Sequence, residues 1–181
     1  MKYLVLFKGI NVGRKNIVKM AELREMLSSL GFQNVTTYIQ SGNALFDSND
    51  SLDEITKKIE TSFQNTFGFK SELLLRTKDE IGTVITELPF SKTEIDEAMA
   101  LDPTVQHLYY YFTDSMSSHS VIHTLDSSTD SLDKIVVGKG GIYLLCYRSI
   151  RDSKLTSLLT KQNIVTTARN WNTLNKLFNM M

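Results

Sequence analysis

The sequence predicts an α+β fold made of two ferredoxin-like halves, each with the element order β-α-β-β-α-β, and an added helix at the C-terminus. Two observations support this fold class. Strand-like and helix-like segments follow one another in this order up to residue 88, and the same order restarts after residue 106. The length of 181 residues suits one compact domain or two small halves, with 41% hydrophobic and 22% charged residues.

The first half opens with an apolar run of strand length and continues with a helix whose apolar side chains follow three- and four-residue spacing up to Gly31. Two β-rich runs then meet at Ser41-Gly42 as a β-hairpin. Ser51 or Asp53 caps the next helix, which ends at Gly68, and Thr77 caps the last one. The predicted elements are strands at 4–7, 35–40, 43–47 and 72–76, and helices at 18–30, 52–67 and 78–88.

Residues 89–106 are predicted to form a connector that contains a short acidic helix at 93–101. The second half then repeats the pattern, with a polar loop at 126–133 and a hairpin across residues 138–141. Its predicted elements are strands at 107–113, 135–137, 142–147 and 164–167, and helices at 115–125, 153–159 and from Asn170 onward. The predicted division is therefore a first subdomain at 1–88, the connector at 89–106, and a second subdomain at 107–181.

The predicted topology brings two distant segments together. A right-handed β-α-β crossover makes the first two strands parallel, with the third strand antiparallel between them. The end of the first strand and the hairpin turn then lie at the same edge of the sheet. We therefore expect loop 9–16 and turn 40–43 to be neighbours.

Net charge is zero, but its distribution is uneven. Residues 1–31 carry six basic and two acidic side chains, residues 79–133 carry eleven acidic and one basic, and residues 139–181 carry seven basic and one acidic. One interpretation is that solvated faces neutralise each other within the fold. The other is a basic surface, built from both ends of the chain, for an anionic partner.

The composition also bears on location and cofactors. No apolar run approaches the roughly 20 residues that span a bilayer, and the first residues lack a leader cleavage site, so we expect a cytoplasmic protein without a membrane partner. The single Cys146 excludes an intramolecular disulfide. His119 and His123 have a spacing suited to zinc, but no HExxH motif or third ligand accompanies them. We expect neither a metal nor a cofactor.

The segment GINVGRKN at residues 9–16 lies between a strand and a helix, where phosphate loops occur, but its glycine spacing is not that of a Walker A motif. Backbone amides at the helix N-terminus, flanked by cationic side chains, form a candidate anion site. The alternative is that the glycines only supply tight-turn dihedrals while the cations point into water. The candidate residues in this segment are Asn11, Gly13, Arg14, Lys15 and Lys19.

Gln40, Ser41 and Asn43 add neutral donors and acceptors at the same edge, although a hairpin turn uses such residues for conformational reasons alone. Ser41 lies outside a nucleophile elbow, so we do not expect it to be a nucleophile. Near the C-terminus, Arg169 and Trp171 offer a cation and a stacking plane to a ligand. Alternatively, Trp171 anchors the terminal helix to the sheet.

Several of these segments resemble one family. GINVG at 9–13, VKMAELR at 18–24, LGF at 30–32 and TYIQSGN at 37–43 are similar to the N-terminal signature of a family of bacterial domains of unknown function. TARNWNT at 167–173 is similar to the C-terminal T-x-RNW-x-T motif of that family. Arg14 departs from the signature, which has a second glycine there. The resemblance implies an α+β fold of ferredoxin-like halves and implies no reaction.

The leading functional hypothesis is a binding protein for an anionic small molecule or nucleotide-like ligand, held between loop 9–16 and turn 40–43. The first alternative is binding of single-stranded RNA through the basic ends and the aromatic strand residues Tyr3, Phe7, Tyr38 and Phe46. The second is an enzyme for a phosphorylated or nucleotide substrate, for which the sequence offers no general base or nucleophile. The oligomeric state and the ligand stay open.

Overall fold

A computed structural model describes residues 1–13, 15–114, 132–161 and 166–181. The predictions for Arg14, for the helix at 115–125 with His119 and His123, for most of the loop at 126–133 and for the start of the strand at 164–167 lie outside the described residues. The chain divides into two compact units, Met1–Gly82 with Lys176–Met181, and Thr83–Asn175. The predicted boundaries at 88 and 106 stay a prediction.

The first unit contains a four-stranded sheet in the order β2-β3-β1-β4, with every neighbouring pair antiparallel. The predicted position of the third strand between the first and second is thereby confirmed. The elements are β1 Lys2–Phe7, α1 Met20–Ser29, β2 Gln33–Tyr38, β3 Asn43–Asp47, α2 Leu52–Phe67, β4 Leu73–Thr77 and α3 Lys78–Thr86, of which the last begins in this unit.

The core of the first unit lies between one face of its sheet and the helices α1 and α2. Alternate residues of β1 point into this core, while Leu4 and Leu6, which point the other way, are also fully buried. Burial on both faces explains why β1 reads as a continuous apolar run rather than an alternating one. The main side chains of this core are Tyr3, Val5, Phe7, Leu23, Leu27, Phe46, Ile55, Ile59 and Phe63.

Two predicted helix boundaries are confirmed at α2. The Ser51 hydroxyl accepts a hydrogen bond from the backbone N–H of Glu54, while the Glu54 carboxylate accepts one from the backbone N–H of Ser51. At the other end Gly68 has a φ of 76°, the left-handed conformation that a glycine adopts without strain. The helix therefore begins and ends where its sequence signals lie.

The second unit contains a sheet in the order β6-β7-β5-β8, again antiparallel throughout. The α+β class and the repeated pattern are confirmed, since this order matches that of the first sheet strand for strand. The elements are α4 Lys92–Leu101, β5 Leu108–Thr113, β6 Lys134–Gly138, β7 Gly141–Leu145, α5 Lys154–Lys161, β8 Thr166–Asn170 and α6 Trp171–Met180.

The repeat extends to one pair of arginines. Arg76 in β4 lies opposite Leu4, the third residue of β1, and Arg169 in β8 lies opposite Tyr110, the third residue of β5. In each case the guanidinium donates to the carbonyl of the preceding residue at 2.7 Å. Both strands then run into a helix through a capping residue, Thr77 or Asn170. Equivalent residues in equivalent geometry support a duplication that the sequence alone does not prove.

The end of the last strand differs from its prediction. The predicted strand ends at residue 167, but β8 continues to Asn170 because Arg169 pairs with Tyr110 in the sheet. Residues 168–170 do not alternate between apolar and polar side chains, so the sequence pattern did not predict that the strand continues there. Asn170 then caps α6, as expected, by accepting the backbone N–H of Thr173 at 2.8 Å. Among the described helices, none is long and apolar enough to cross a membrane.

Candidate functional site

Loop 9–16 folds back on itself directly after β1. The backbone N–H of Asn11 donates to the carbonyl of Asn16, and that of Lys15 donates to the carbonyl of Val12, both at 3.0 Å. The Asn16 side chain closes the loop by donating to the Gly9 carbonyl at 3.1 Å. Backbone hydrogen bonds and the Asn16 side chain therefore hold the loop together.

The side chain of Asn11 joins this loop to the hairpin turn. Its oxygen accepts the backbone N–H of Val18 at 2.8 Å, and its amide nitrogen donates to the carbonyls of Val18 and Gln40, both at 2.9 Å. Twenty-nine residues separate Asn11 from Gln40 in the chain. The predicted proximity of loop 9–16 and turn 40–43 is therefore confirmed.

Gly42 completes the contact between loop and turn. A Cβ at this position would lie 2.9 Å from the Ile10 side chain and 3.1 Å from the Cβ of Phe7. Real Cβ atoms essentially never approach a carbon atom as closely as 2.9 Å, so the missing side chain lets Ile10 pack against the turn. The backbone N–H of Phe7 also donates to the Gly42 carbonyl at 2.9 Å.

The side chain of Asn43 stabilises the turn by hydrogen bonds. It is fully buried, and its amide nitrogen donates to the Tyr38 carbonyl at 3.0 Å and to the Ser41 hydroxyl at 2.9 Å. These contacts favour the conformational interpretation for Asn43, because its donors serve the turn. Gln40 is exposed and Ser41 is half-buried, so the outer part of the turn faces solvent.

Left-handed backbone is concentrated at this edge. Ten described residues have positive φ. Five of them lie in the loop and turn, and a sixth, Ile39, directly precedes the turn; the five are Gly9, Asn11, Gly13, Asn16 and Gly42. Ile39, with a φ of 51°, is the unusual one, because a β-branched side chain is strained in this conformation. Such strain costs about 1–3 kcal/mol and recurs at binding sites and ligand clamps.

Two lysines give the edge its positive charge. Lys15 is exposed, and no described residue forms an ion pair with its ammonium group. Lys19 forms an ion pair with Glu22 at 2.9 Å, and this hydrogen bond raises the pKa of Lys19. Lys19 is also the N-cap of α1, which has no side-chain cap, so amides of the first turn stay available to an acceptor.

Three exposed apolar residues are chain neighbours of Asn11 or of its hydrogen-bond partners, and the sequence analysis did not identify them. Val12 is 66% exposed, Ile17 is 62% exposed and Ile39 is 50% exposed. Each is the chain neighbour of Asn11 or of one of its partners, Val18 and Gln40. For Val12 and Ile17 the available signal was an apolar residue next to asparagine or glycine, outside the predicted helices and strands. Ile39 was included in the predicted strand 35–40, whereas β2 ends at Tyr38.

Arg169 and Trp171 belong to the second unit. Arg169 is only 7% exposed, and its guanidinium donates to the Thr167 hydroxyl and the Ala168 carbonyl. Burial lowers the pKa of Arg169 to about 10. The ring of Trp171, at the start of α6, lies 6.4 Å from the ring of Tyr143. These contacts support the anchoring interpretation, and a ligand role for the two residues stays a prediction.

Three of the four aromatic strand residues that the sequence offered for RNA binding, and also Cys146, are buried in the cores of their units. In the first unit Tyr3, Phe7 and Phe46 are buried in the core, so these aromatic rings are not available to stack on RNA bases. In the second unit Cys146 is buried, which raises the pKa of its thiol to about 12. Among the described residues, no group of three or more His, Cys, Asp or Glu is placed to hold a metal ion.

Three clefts among the described residues of the first unit lie away from the loop and turn. One cleft of about 490 Å³ and another of about 360 Å³ both border the outer face of α2. A third cleft, of about 440 Å³, lies beside the first residue and the end of β3. None of these three is lined by residues of loop 9–16 or turn 40–43. A ligand at the loop and turn would therefore lie on a surface rather than in one of these clefts.

The fold and this polar loop–turn edge define an α+β protein of two similar units, without an evident catalytic centre in its described part. The family model described as "Protein of unknown function (DUF1697)" matches residues 1–143, so the chain belongs to that family. The matched residues include loop 9–16 and turn 40–43, whereas the C-terminal motif at 167–173 lies outside them.

One solved structure gives a likeness over nearly the whole chain. It is described as the structure of conserved bacterial protein SP0830 from Streptococcus pneumoniae, and the two sequences are 29% identical. The match covers 99% of this chain and 97% of that one, with a TM-score of 0.79. No curated protein matches this chain. Neither description names an activity, so the function of the family is unknown.

Proposed function

We propose that this protein binds an anionic small molecule with an apolar part, such as a nucleotide, at the edge formed by loop 9–16 and turn 40–43. The observation that carries the proposal is the Asn11 side chain, which ties the loop to the turn at Val18 and Gln40. This connection places exposed cationic and exposed apolar side chains within one or two residues of a shared set of hydrogen bonds.

The charged part of the ligand would lie near the start of α1. Lys15 contributes a cation that no described acidic residue neutralises, and the uncapped first turn contributes backbone amides. Anions are stabilised at helix N-termini by such amides and by the helix dipole. The proposal also includes Arg14 and Gly13 from the sequence pattern. The charge of Lys19 is partly offset by Glu22.

The apolar part of the ligand would contact Val12, Ile17 and Ile39. Covering apolar surface gains about 25 cal/mol per Å² removed from water, and binding sites combine apolar walls with a few polar groups. The strained backbone of Ile39 fits this role, since it presents the side chain to solvent at the outer end of the turn. We propose binding rather than catalysis. The side-chain amides of Asn11 and Asn43 donate to backbone carbonyls that hold the edge together, so they are engaged in structure rather than directed at a substrate.

The test is thermal denaturation with inorganic phosphate, nucleosides and mononucleotides. Ligand binding stabilises the folded state by mass action, so a mononucleotide should raise Tm more than phosphate or a nucleoside alone. Lys15→Glu and Ile39→Asn should each weaken this binding about tenfold. Lys57→Glu, an exposed lysine of α2 in the same unit, serves as the matched control and should bind as the wild type does.

Two outcomes would count against the proposal. One is a flat response of the wild type to every member of the panel. The other is a shift of Tm that Lys15→Glu and Ile39→Asn leave unchanged, because the ligand would then bind elsewhere. Loss of binding in Lys57→Glu, together with normal binding in Lys15→Glu, would move the site to the cleft beside α2.

Finer descriptions of the protein belong to the same proposal. We propose that both units are ferredoxin-like halves; the strand order β2-β3-β1-β4, repeated in the second unit, supports this. The segments at 9–13, 18–24, 37–43 and 167–173 would then be the signature of the family. A cytoplasmic location is proposed from the single cysteine.

A further inference from the structure

Each sheet has two outer strands, and the four outer strands differ in exposure. β4 and β8 contain no exposed residue, whereas β2 and β6 each expose at least two side chains. Among the described strands, β2 pairs only with β3, and β6 pairs only with β7. An outer strand presents backbone N–H and C=O groups that a further strand can use. β2 and β6 are therefore the two described strands to which another strand could be added.

β2 carries features that oppose such pairing. Its register against β3 shifts between Gln33 and Thr36, and Asn34 within this interval has a φ of 52°. The exposed residues of the strand, Gln33, Asn34 and Thr36, are all polar. Irregular backbone in an outer strand is one of the devices by which natural sheets avoid adding a strand from another chain.

β6 lacks these features. Its five residues pair with β7 in a continuous register, from Lys134 opposite Leu145 to Gly138 opposite Gly141. The three central residues, 135–137, are all β-branched, the type that favours strands. Ile135 and Val137 pack against the core of the second unit, whereas Val136 between them is exposed. The strand is therefore regular, and its centre presents an apolar side chain to solvent.

Lys134 is the feature of β6 that would oppose pairing, because a lysine on an outer strand commonly keeps other strands away. Its ammonium group donates to the carboxylate of Glu94 in α4 at 2.7 Å. This ion pair lies within the second unit and offsets the charge of the only lysine in β6. Lys134 therefore leaves the strand open to a partner.

Charges at the two ends of β6 identify the partner as a second copy of the same strand. Asp133 directly precedes β6 and Lys139 directly follows it. The carboxylate of Asp133 accepts the backbone N–H of Tyr147 at 2.8 Å, which holds it beside the strand. In an antiparallel pair of β6 strands with Val136 opposite Val136, Asp133 of each copy would lie near Lys139 of the other. Opposite charges facing each other across two strands stabilise their pairing.

We infer that two copies of this protein associate by antiparallel pairing of their β6 strands about Val136, which joins two four-stranded sheets into one sheet of eight strands. Only a short strand of each copy takes part, so the interface is small and association depends on protein concentration. The pairing uses neither loop 9–16 nor turn 40–43. It therefore stands independently of the proposed ligand site.

Sedimentation equilibrium and light scattering test the association. Between about 1 μM and about 1 mM, the mean mass of the wild type should rise from that of one chain toward that of two. Val136→Lys should weaken association about tenfold or more, because two ammonium groups would face each other across the paired strands. Thr36→Lys, at an exposed position in β2, is the matched control and should associate as the wild type does.

Three outcomes of these measurements would overturn the inference. The first is a wild type that stays monomeric over the whole range of concentration. The second is a dimer that Val136→Lys leaves intact, since the interface would then lie elsewhere. The third is loss of association in Thr36→Lys together with normal association in Val136→Lys, which would place the interface at β2.

A disulfide tests the register, with a variant that keeps an uncharged side chain of similar size. Residues directly opposite each other in antiparallel strands have Cα atoms about 4.5–5.5 Å apart, a separation that a disulfide spans. Val136→Cys should therefore form a dimer linked by a disulfide under mild oxidation. Leu132→Cys, at a position that is 70% exposed, would lie about 26 Å along the strands from its counterpart and should stay reduced. Equal linkage of the two variants, or none in Val136→Cys, would contradict pairing about Val136.

Discussion

Single residues decide how loop 9–16 meets turn 40–43. Gly42 leaves the space that Ile10 fills. The side-chain amide of Asn11 donates to the backbone carbonyls of Val18, just after the loop, and Gln40 in the turn. The sequence suggested Asn11 as a ligand-binding residue. In the structure its side chain connects the loop to the turn, so in the proposed site it would hold other groups in place.

Gly42→Ala tests this packing, with Gly68→Ala as its matched control. Both glycines have a φ of 76°, so both alanines suffer the left-handed strain of about 1–2 kcal/mol. Only at Gly42 does the new Cβ meet other atoms, whereas a Cβ at Gly68 has nothing within 4 Å. We expect Gly42→Ala to lose about 1–3 kcal/mol more than Gly68→Ala in urea unfolding, the usual cost of overpacking. Equal losses would show that Ile10 adjusts freely.

At the scale of elements, helix caps were the most predictable features. Ser51 and Thr77 were expected as caps, and each forms a reciprocal pair with a glutamate three residues later. Caps are local, because the groups that satisfy the first amides lie within one turn of the helix. The strand β8 was less predictable, since a strand depends on its neighbour across the sheet, and Tyr110 is far from Arg169 in sequence.

The cap of α4 yields a prediction about acid stability. Hydrogen bonds from Lys134 and then from Ser91 lower the pKa of Glu94 from 4.5 to about 2. Because the folded pKa is depressed, this contribution is present above 4.5 and is lost as pH falls toward 2. Glu94→Gln should therefore lose less stability than the wild type over this interval, measured by urea unfolding at each pH. Glu25→Gln, on the exposed side of α1, should follow the wild-type profile.

At the scale of the whole molecule, the two units share an architecture but not a simple boundary. Residues 176–181 belong to the first unit although they end the chain. Within that unit the centroid of the Phe178 ring lies 5.4 Å from the ammonium nitrogen of Lys78. A Cβ at Gly82 would lie 3.4 Å from the same ring. Contacts between residues distant in the chain leave no local signal, and the predicted division, with a connector at 89–106, stays a prediction.

Phe178→Ala should therefore weaken the first unit from the far end of the chain. We expect a loss of about 1–3 kcal/mol, below that of a fully buried phenylalanine because this ring is half-buried. Hydrogen exchange should show reduced protection in β1 and α3. Asn179→Ala, at an exposed neighbouring position, should leave protection unchanged. Faster exchange confined to β5–β8 would contradict the assignment of residues 176–181 to the first unit.

The sequence by itself determined the order of the described helices and strands, the helix caps, and the meeting of loop 9–16 with turn 40–43. These follow from local periodicity and from the fixed hand of β-α-β crossovers. Only the tertiary structure decided which way the side chains face. It turned the amides of Asn11 and Asn43 inward, buried Arg169, and left Val12, Ile17 and Ile39 in solvent. The physical reason is that burial and hydrogen bonding depend on partners distant in sequence, and local pattern carries no record of them.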